Sequence, residues 1–204
     1  MIDSVPPASA EQLISEFRRG EMVLLVLDQS DGGQTGVVAM AAECCEASHV
    51  TFMARQARGL VSLALTEARC EQLNLPPMVD PTTSGAVKLS IEASAGIDTG
   101  ISAADRARTV RVAVAPDAKP SDLVQPGHIF PVATLSGGVL IRTGAAEAGV
   151  DLATLAGLTP AAVFAEVLDT HGELADASAL VAFADAHDLR VGRVTDLVDY
   201  RLNH

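Results

Sequence analysis

Helix signals and short apolar runs alternate along almost the whole of this 204-residue chain, and that alternation admits few architectures. A strand placed between helices buries both of its faces, so such a chain folds into layers, with helices packed on a sheet. The first unit shows the pattern. Ser9-Ala10-Glu11-Gln12 has the spacing of a capping box, Leu13, Ile14 and Phe17 share one helical face, and Gly20 ends the helix. Residues 22–27 are an uninterrupted apolar run, read as a buried strand. A polar loop with glycine covers 28–36, and 37–40 reads as the returning strand.

The same grammar continues. Residues 48–57 read as helix before Gly59, 60–65 as strand and 66–73 as helix. Pro76, Pro77 and Pro81 mark a loop, and 87–91 alternate around Lys88 and Ser90 as a half-buried strand would. Ser102 and Asp105 have capping-box spacing and open a helix to about residue 112. Residues 117–127 read as loop, 139–141 as a short strand, and 146–156 as a helix closed by Gly157. An apolar, strand-like run at 163–168 and helices at 178–187 and 195–202 follow. Nothing resembles a linker, so residues 1–204 are expected to form a single domain.

Composition narrows the chemistry. Aromatic residues are 3% of the chain and there is no Trp, so the core must be built mainly from Ala, Val, Leu and Ile. A net charge of −12 without any Lys/Arg cluster argues against nucleic acid and against an anionic membrane surface. A small polar or anionic molecule is the expected partner. Cys44, Cys45 and Cys70 form no C-x-x-C and suit packing. No apolar run reaches the roughly 20 residues of a membrane span, and Met1-Ile2-Asp3-Ser4-Val5 lacks a basic segment ahead of an apolar one. The cytoplasm is the expected location.

Collinear phrases then carry a resemblance. They are Phe52-Met53-Ala54-Arg55 with Arg58-Gly59-Leu60; Leu73-Asn74-Leu75-Pro76-Pro77; Asp98-Thr99-Gly100-Ile101-Ser102-Ala103-Ala104-Asp105-Arg106; Pro126-Gly127-His128-Ile129-Phe130-Pro131; and Gly137-Gly138-Val139-Leu140 with Arg142-Thr143-Gly144. Glu147-Ala148, Leu155-Ala156-Gly157-Leu158, Glu166, Asp196-Leu197-Val198 and Tyr200-Arg201 complete them. From about residue 10 to residue 201 the chain resembles the 3,4-dihydroxy-2-butanone 4-phosphate synthase family of riboflavin biosynthesis. The resemblance implies an α+β fold, three α/β/α layers around a mixed sheet, and a homodimer with active sites near the subunit interface. It also implies a lyase that turns ribulose 5-phosphate into formate and dihydroxybutanone phosphate, two divalent ions steadying its enediolate intermediates.

The departures fall in the site. The family's acidic loop resembles D-D-E-D-R-E-N-E-G-D-L; here it reads Asp28-Gln29-Ser30-Asp31-Gly32-Gly33-Gln34-Thr35-Gly36-Val37-Val38, so Asp28, Asp31 and Gly36 match. The metal-binding glutamate falls on Gly33, and two further acids fall on Thr35 and Val37. In the R-x-G-H-T-E-A motif, the metal-binding histidine falls on Ala145 and a phosphate-contacting threonine on Ala146. Ser62, Asp98, Thr170 and His171 also depart from the pattern. Asp98 and His171 are candidates for a new role, His171 otherwise being a loop residue.

The expectation is a divergent homologue that binds no metal and needs no cofactor, repurposed as a metal-independent lyase or isomerase. The alternatives are a non-catalytic ligand-binding or partner protein, and an authentic synthase. Glu166, Asp28 and His128 are the candidate catalytic residues. Burial in an apolar run would suit Glu166 to acid–base work, or leave it a satisfied core carboxylate. His128 is a general base or a structural histidine between prolines, and Asp28 a substrate contact or a turn-former. Arg142 grips an anion or forms a structural ion pair. Thr99, Ser102, Asp105 and Arg106 line a helix N-terminus able to hold an anion, or only to cap it.

Overall fold

The computed structural model describes residues 7–30, 32–79 and 86–204. The N-terminal Met1-Ile2-Asp3-Ser4-Val5 stretch, Asp31 and Pro81 lie outside the described residues. The capping box at Ser9 is present as read: its hydroxyl accepts from Gln12 N, and the Gln12 side chain accepts from Ser9 N. It starts helix α1 (Ala10–Arg19), which ends at Gly20 with φ +75°. Strands β1 (Val23–Asp28) and β2 (Gln34–Ala41) form a hairpin. Helix α2 (Ala47–Phe52) runs into a π-helical turn, Met53–Ala57. Then come β3 (Ser62–Thr66), α3 (Glu67–Gln72), β4 (Ile91–Ala93), α4 (Ala103–Val114) and β5 (Leu123–Thr134). Helix α5 (Ala145–Leu155), β6 (Ala161–Glu166), α6 (Ala177–His187), β7 (Arg190–Arg193) and α7 (Val194–Asn203) complete the described chain.

The strands form one seven-stranded sheet in the order β4-β5-β3-β6-β2-β1-β7. The β1–β7 and β3–β5 pairs are parallel and the rest antiparallel, so the sheet is mixed. Alternation along each strand splits the core into two. Leu24, Val26, Val38, Met40, Leu63 and Leu65 point into a cluster with α2, α3, α4 and α6. Val37, Ala39, Ala64, Ala162 and Phe164 point the other way, against α1, α5 and α7. The three-layer α/β/α arrangement follows from this double burial.

Four readings need correction. Residues 139–141 are not a strand but part of a 3-10 turn, Gly138–Leu140, entered through Gly137 and Gly138 at φ +99° and +62°. Two successive left-handed residues cannot extend a strand. The expected loop at 117–127 already contains the start of β5 at Leu123; Pro126 and Gly127 masked it, and both are tolerated because β4 pairs with β5 across a bulge. Residues 87–91 make only isolated bridges at Val87 and Lys88, and the strand begins at Ile91. Strand β7 went unread because four residues with two arginines show no apolar period, a composition its edge position tolerates.

Leu63 is fully buried on the central β3. Leu63→Ala is expected to lower stability by about 3 kcal/mol, mostly as an unfilled cavity. Urea unfolding should show a lower midpoint with an unchanged m-value.

Candidate functional site

Register places two of the three candidate catalytic residues together. Ser62 on β3 pairs with Phe130 on β5 on one side and with Phe164 on β6 on the other. His128 and Glu166 each lie two residues beyond that row, toward the same end of the sheet. Alternation puts both on the α1/α5/α7 face, since Ile129 enters the opposite cluster and Phe164 enters this one. With only β3 between them, their strands stand about 10 Å apart.

Glu166 is half-buried rather than buried as expected, because β6 ends there and the chain runs on to the Arg58–Val167 bridge. Among the described residues nothing donates a hydrogen bond or ion pair to its carboxylate. Gly59 permits a close approach: a Cβ there would stand 2.2 Å from Glu166 O. His128 is held by Glu92, whose Oε1 meets its Nδ1. Glu92 was not read from the sequence, although its position opposite buried Ile91 on a short strand was the available signal.

Asp28 is set apart. By the same alternation it faces the other cluster, beyond Val26, and its Oδ1 accepts from Gln34 Nε2 at 2.8 Å across the hairpin. The polar contact is internal to the loop.

Arg142 is not a free cation. Its Nε donates to Glu147 Oε1 at 2.8 Å, and Nη2 contacts the same oxygen and donates to Ala133 O at 3.1 Å. Glu147 is 1% exposed and also accepts from Leu135 N, so this pair braces the turn before α5. The arginine is half-exposed and borders a cavity of about 430 Å³ shared with Lys88, Thr134 and Leu135.

At the head of α4, Ser102 caps Asp105 N, but Asp105 does not reach back to Ser102 N. Its carboxylate accepts from Gly100 N at 3.0 Å and Asp98 N at 3.4 Å. Asp105 is therefore engaged with the loop amides ahead of the helix. Burial raises its pKa, but the Ser102 hydroxyl and the amides of Gly100, Asp98 and Thr99 outweigh this and hold it below the usual carboxylate value. Thr99 is exposed on the same loop, and Arg106 is half-buried with its pKa lowered by burial. His171 caps nothing and donates its N–H to Asp169 Oδ1 in a surface turn. Burial pushes the Cys45 thiol up to about 12 and that of Cys70 to about 11, which makes both unreactive packing residues.

At the two positions where the resemblance puts metal ligands, the residues do not fit a divalent ion. Gly33 and Ala145 carry no side-chain donor atom, and the Thr35 hydroxyl accepts from Gln29 Nε2. Among the described residues no cluster of three His, Cys, Asp or Glu side chains could hold a metal ion.

The mixed three-layer fold agrees with the comparisons. The sequence profile of the 3,4-dihydroxy-2-butanone 4-phosphate synthase family matches residues 11–200. A 3,4-dihydroxy-2-butanone 4-phosphate synthase of Pseudomonas syringae is 51% identical over 95% of this chain, and the chain spans 53% of that relative's length. A two-domain synthase from A. baumannii superposes with a TM-score of 0.89 at 46% identity, covering 95% of this chain and 58% of that one. A synthase solved with two magnesium ions superposes at 0.87 with 34% identity, covering 95% and 96%. The chain belongs to the 3,4-dihydroxy-2-butanone 4-phosphate synthase family.

The Asp105 contacts predict a pH signature. A carboxylate whose pKa is depressed on folding contributes stability above its unfolded pKa of about 3.9, and loses it as pH falls through the folded value. The stability difference between the wild type and Asp105→Asn should be constant from about pH 6 to 5 and shrink below about pH 4. Urea midpoints measured along that range check it.

Proposed function

We infer that this chain is a family member that works on a small polar or anionic substrate by acid–base chemistry, without the divalent pair of its relatives. The observation that carries this is the donor set. Gly33 and Ala145 replace both metal-ligand positions, while His128 and Glu166 stay on one face of one sheet end. A base and an acid on strands about 10 Å apart fit a compound of a few carbons between them, with one group removing a proton and the other returning it. Such an enzyme would be a lyase or isomerase. Arg142 would orient substrate only with the charge that Glu147 leaves it.

A second reading is an authentic synthase, turning ribulose 5-phosphate into dihydroxybutanone phosphate and formate. The 51% identity to a synthase of that name speaks for it. Against it stands the energetics. Metal stabilisation of an enediolate contributes several kcal/mol, and each 1.36 kcal/mol is a factor of ten in rate. The decisive measurement is formate release from ribulose 5-phosphate with and without magnesium. No release is expected; turnover near one per second would establish the synthase instead. Gly33→Glu with Ala145→His should restore divalent binding by calorimetry more than turnover, because Thr35, Val37 and Ala146 would remain.

A homodimer is part of the same proposal. Leu60, Ile101 and Val124 are exposed apolar residues near the His128 end of the sheet, and a second subunit would cover them. Light scattering at micromolar concentration should give twice the chain mass of 21.1 kDa; a monomer would refute this part.

A further inference from the structure

The sheet edge around His128 is built to seat one carboxylate. Between the Ile91–Ile129 and Glu92–Val124 pairs the β4–β5 register shifts, so residues 125–128 form a bulge that carries His128 to the side of Glu92. Two glycines make the approach possible. A Cβ on Gly127 would lie 2.2 Å from Ile91 C and O, so only glycine lets β5 close on β4 there. A Cβ on Gly100, at φ +78°, would lie 1.6 Å from Glu92 Oε1, so the loop before α4 closes over the carboxylate itself. The surroundings are pinned. Gly127 N donates to Ser90 Oγ at 3.1 Å, Ala93 N donates to the buried Thr109 hydroxyl at 3.0 Å, and Gly100 N donates to Asp105. The Glu92 side chain is 14% exposed, whereas that of His128 is 42% exposed. One end of the pair is thus enclosed and the other faces solvent.

An ionised carboxylate only accepts hydrogen bonds, so the ring nitrogen it meets must donate. We propose that Glu92 is a positioning residue: it holds His128 in the Nδ1–H tautomer and leaves Nε2, on the open side of the ring, as the proton-transfer atom. This deepens the acid–base reading of His128 and rests on it for its catalytic meaning. A histidine free to flip or change tautomer would present Nε2 to a substrate for only part of the time. One whose Nδ1–H is tied to a carboxylate presents it throughout. Thr99, the residue before Gly100 in the loop that closes over Glu92, is exposed.

The test needs no substrate. Nitrogen-15 correlation spectra of histidine-labelled protein are recorded at about pH 8.5, some two units above the unperturbed imidazole pKa of about 6.5. The His128 signals are assigned by their loss in His128→Asn. The Nδ1–H form is expected in the wild type, with a shift to the Nε2–H form, or to a mixture, in Glu92→Gln. Glu92→Asp, which keeps the charge at shorter reach, should fall between them. A wild-type ring that is mainly Nε2–H overturns the proposal, and so does a folded Glu92→Gln protein whose ring remains Nδ1–H. Should Glu92→Gln fail to fold, the wild-type and Glu92→Asp spectra still decide it. With any substrate found to turn over, Glu92→Gln should lower kcat about 10- to 100-fold at unchanged KM. Absence of turnover on the substrates tried bears on the proposed function, while the tautomer stands or falls by the spectra.

Discussion

Helix α5 lies directly against the sheet, and the turn that leads into it is braced from its first turn. A Cβ on Gly149 would come within 2.6 Å of Ala162 Cβ on β6, so only glycine lets the helix backbone down onto the central strands. Ala148, Leu152 and Ala153 continue that contact with no exposed surface. With 3% aromatic residues, this core obtains its density from small side chains in close layers rather than from large ones spanning wide gaps. A helix held this near has little freedom to shift, and its first turn carries Ala145, Ala146 and Glu147.

Buried carboxylates translate that contact into loop structure. Asp151 accepts from Val139 N and pairs with Arg201 at 2.6 Å, tying the 3-10 turn to the C-terminal helix. Glu147 does the same for Leu135 and Arg142. Neither charge stands uncompensated, which is the condition for keeping a carboxylate inside a protein. The consequence for function is direct: the arginine that the family resemblance offers for anion binding is already engaged in structure. The sheet end instead carries the half-buried Glu166 and His128, the latter in contact with Glu92.

Legibility in the sequence followed the range of the forces involved. Helix α1, with its capping box and Gly20 stop, was readable because every signal lies within a dozen residues. The hairpin strands were readable because long apolar runs leave few other uses. Strand β7 and the first half of β5 were not, because their partners, rather than their own residues, make them strands. Asp105 looked like half of a capping box, yet its carboxylate binds loop amides that local spacing cannot locate.

By itself the sequence determined the layered class of the fold, its family, its mainly aliphatic core and the absence of side-chain donors at residues 33 and 145. Those properties depend on residue identity and on short-range order, both of which are written in the chain. Only the tertiary structure decided which polar groups meet. It turned Asp28 away from Glu166, engaged Arg142 with Glu147, and set Glu92 against His128 across a bulged strand pair. The physical reason is that such contacts depend on strand register and on glycine-permitted backbone approaches between segments tens of residues apart, and these are fixed only when the layers close.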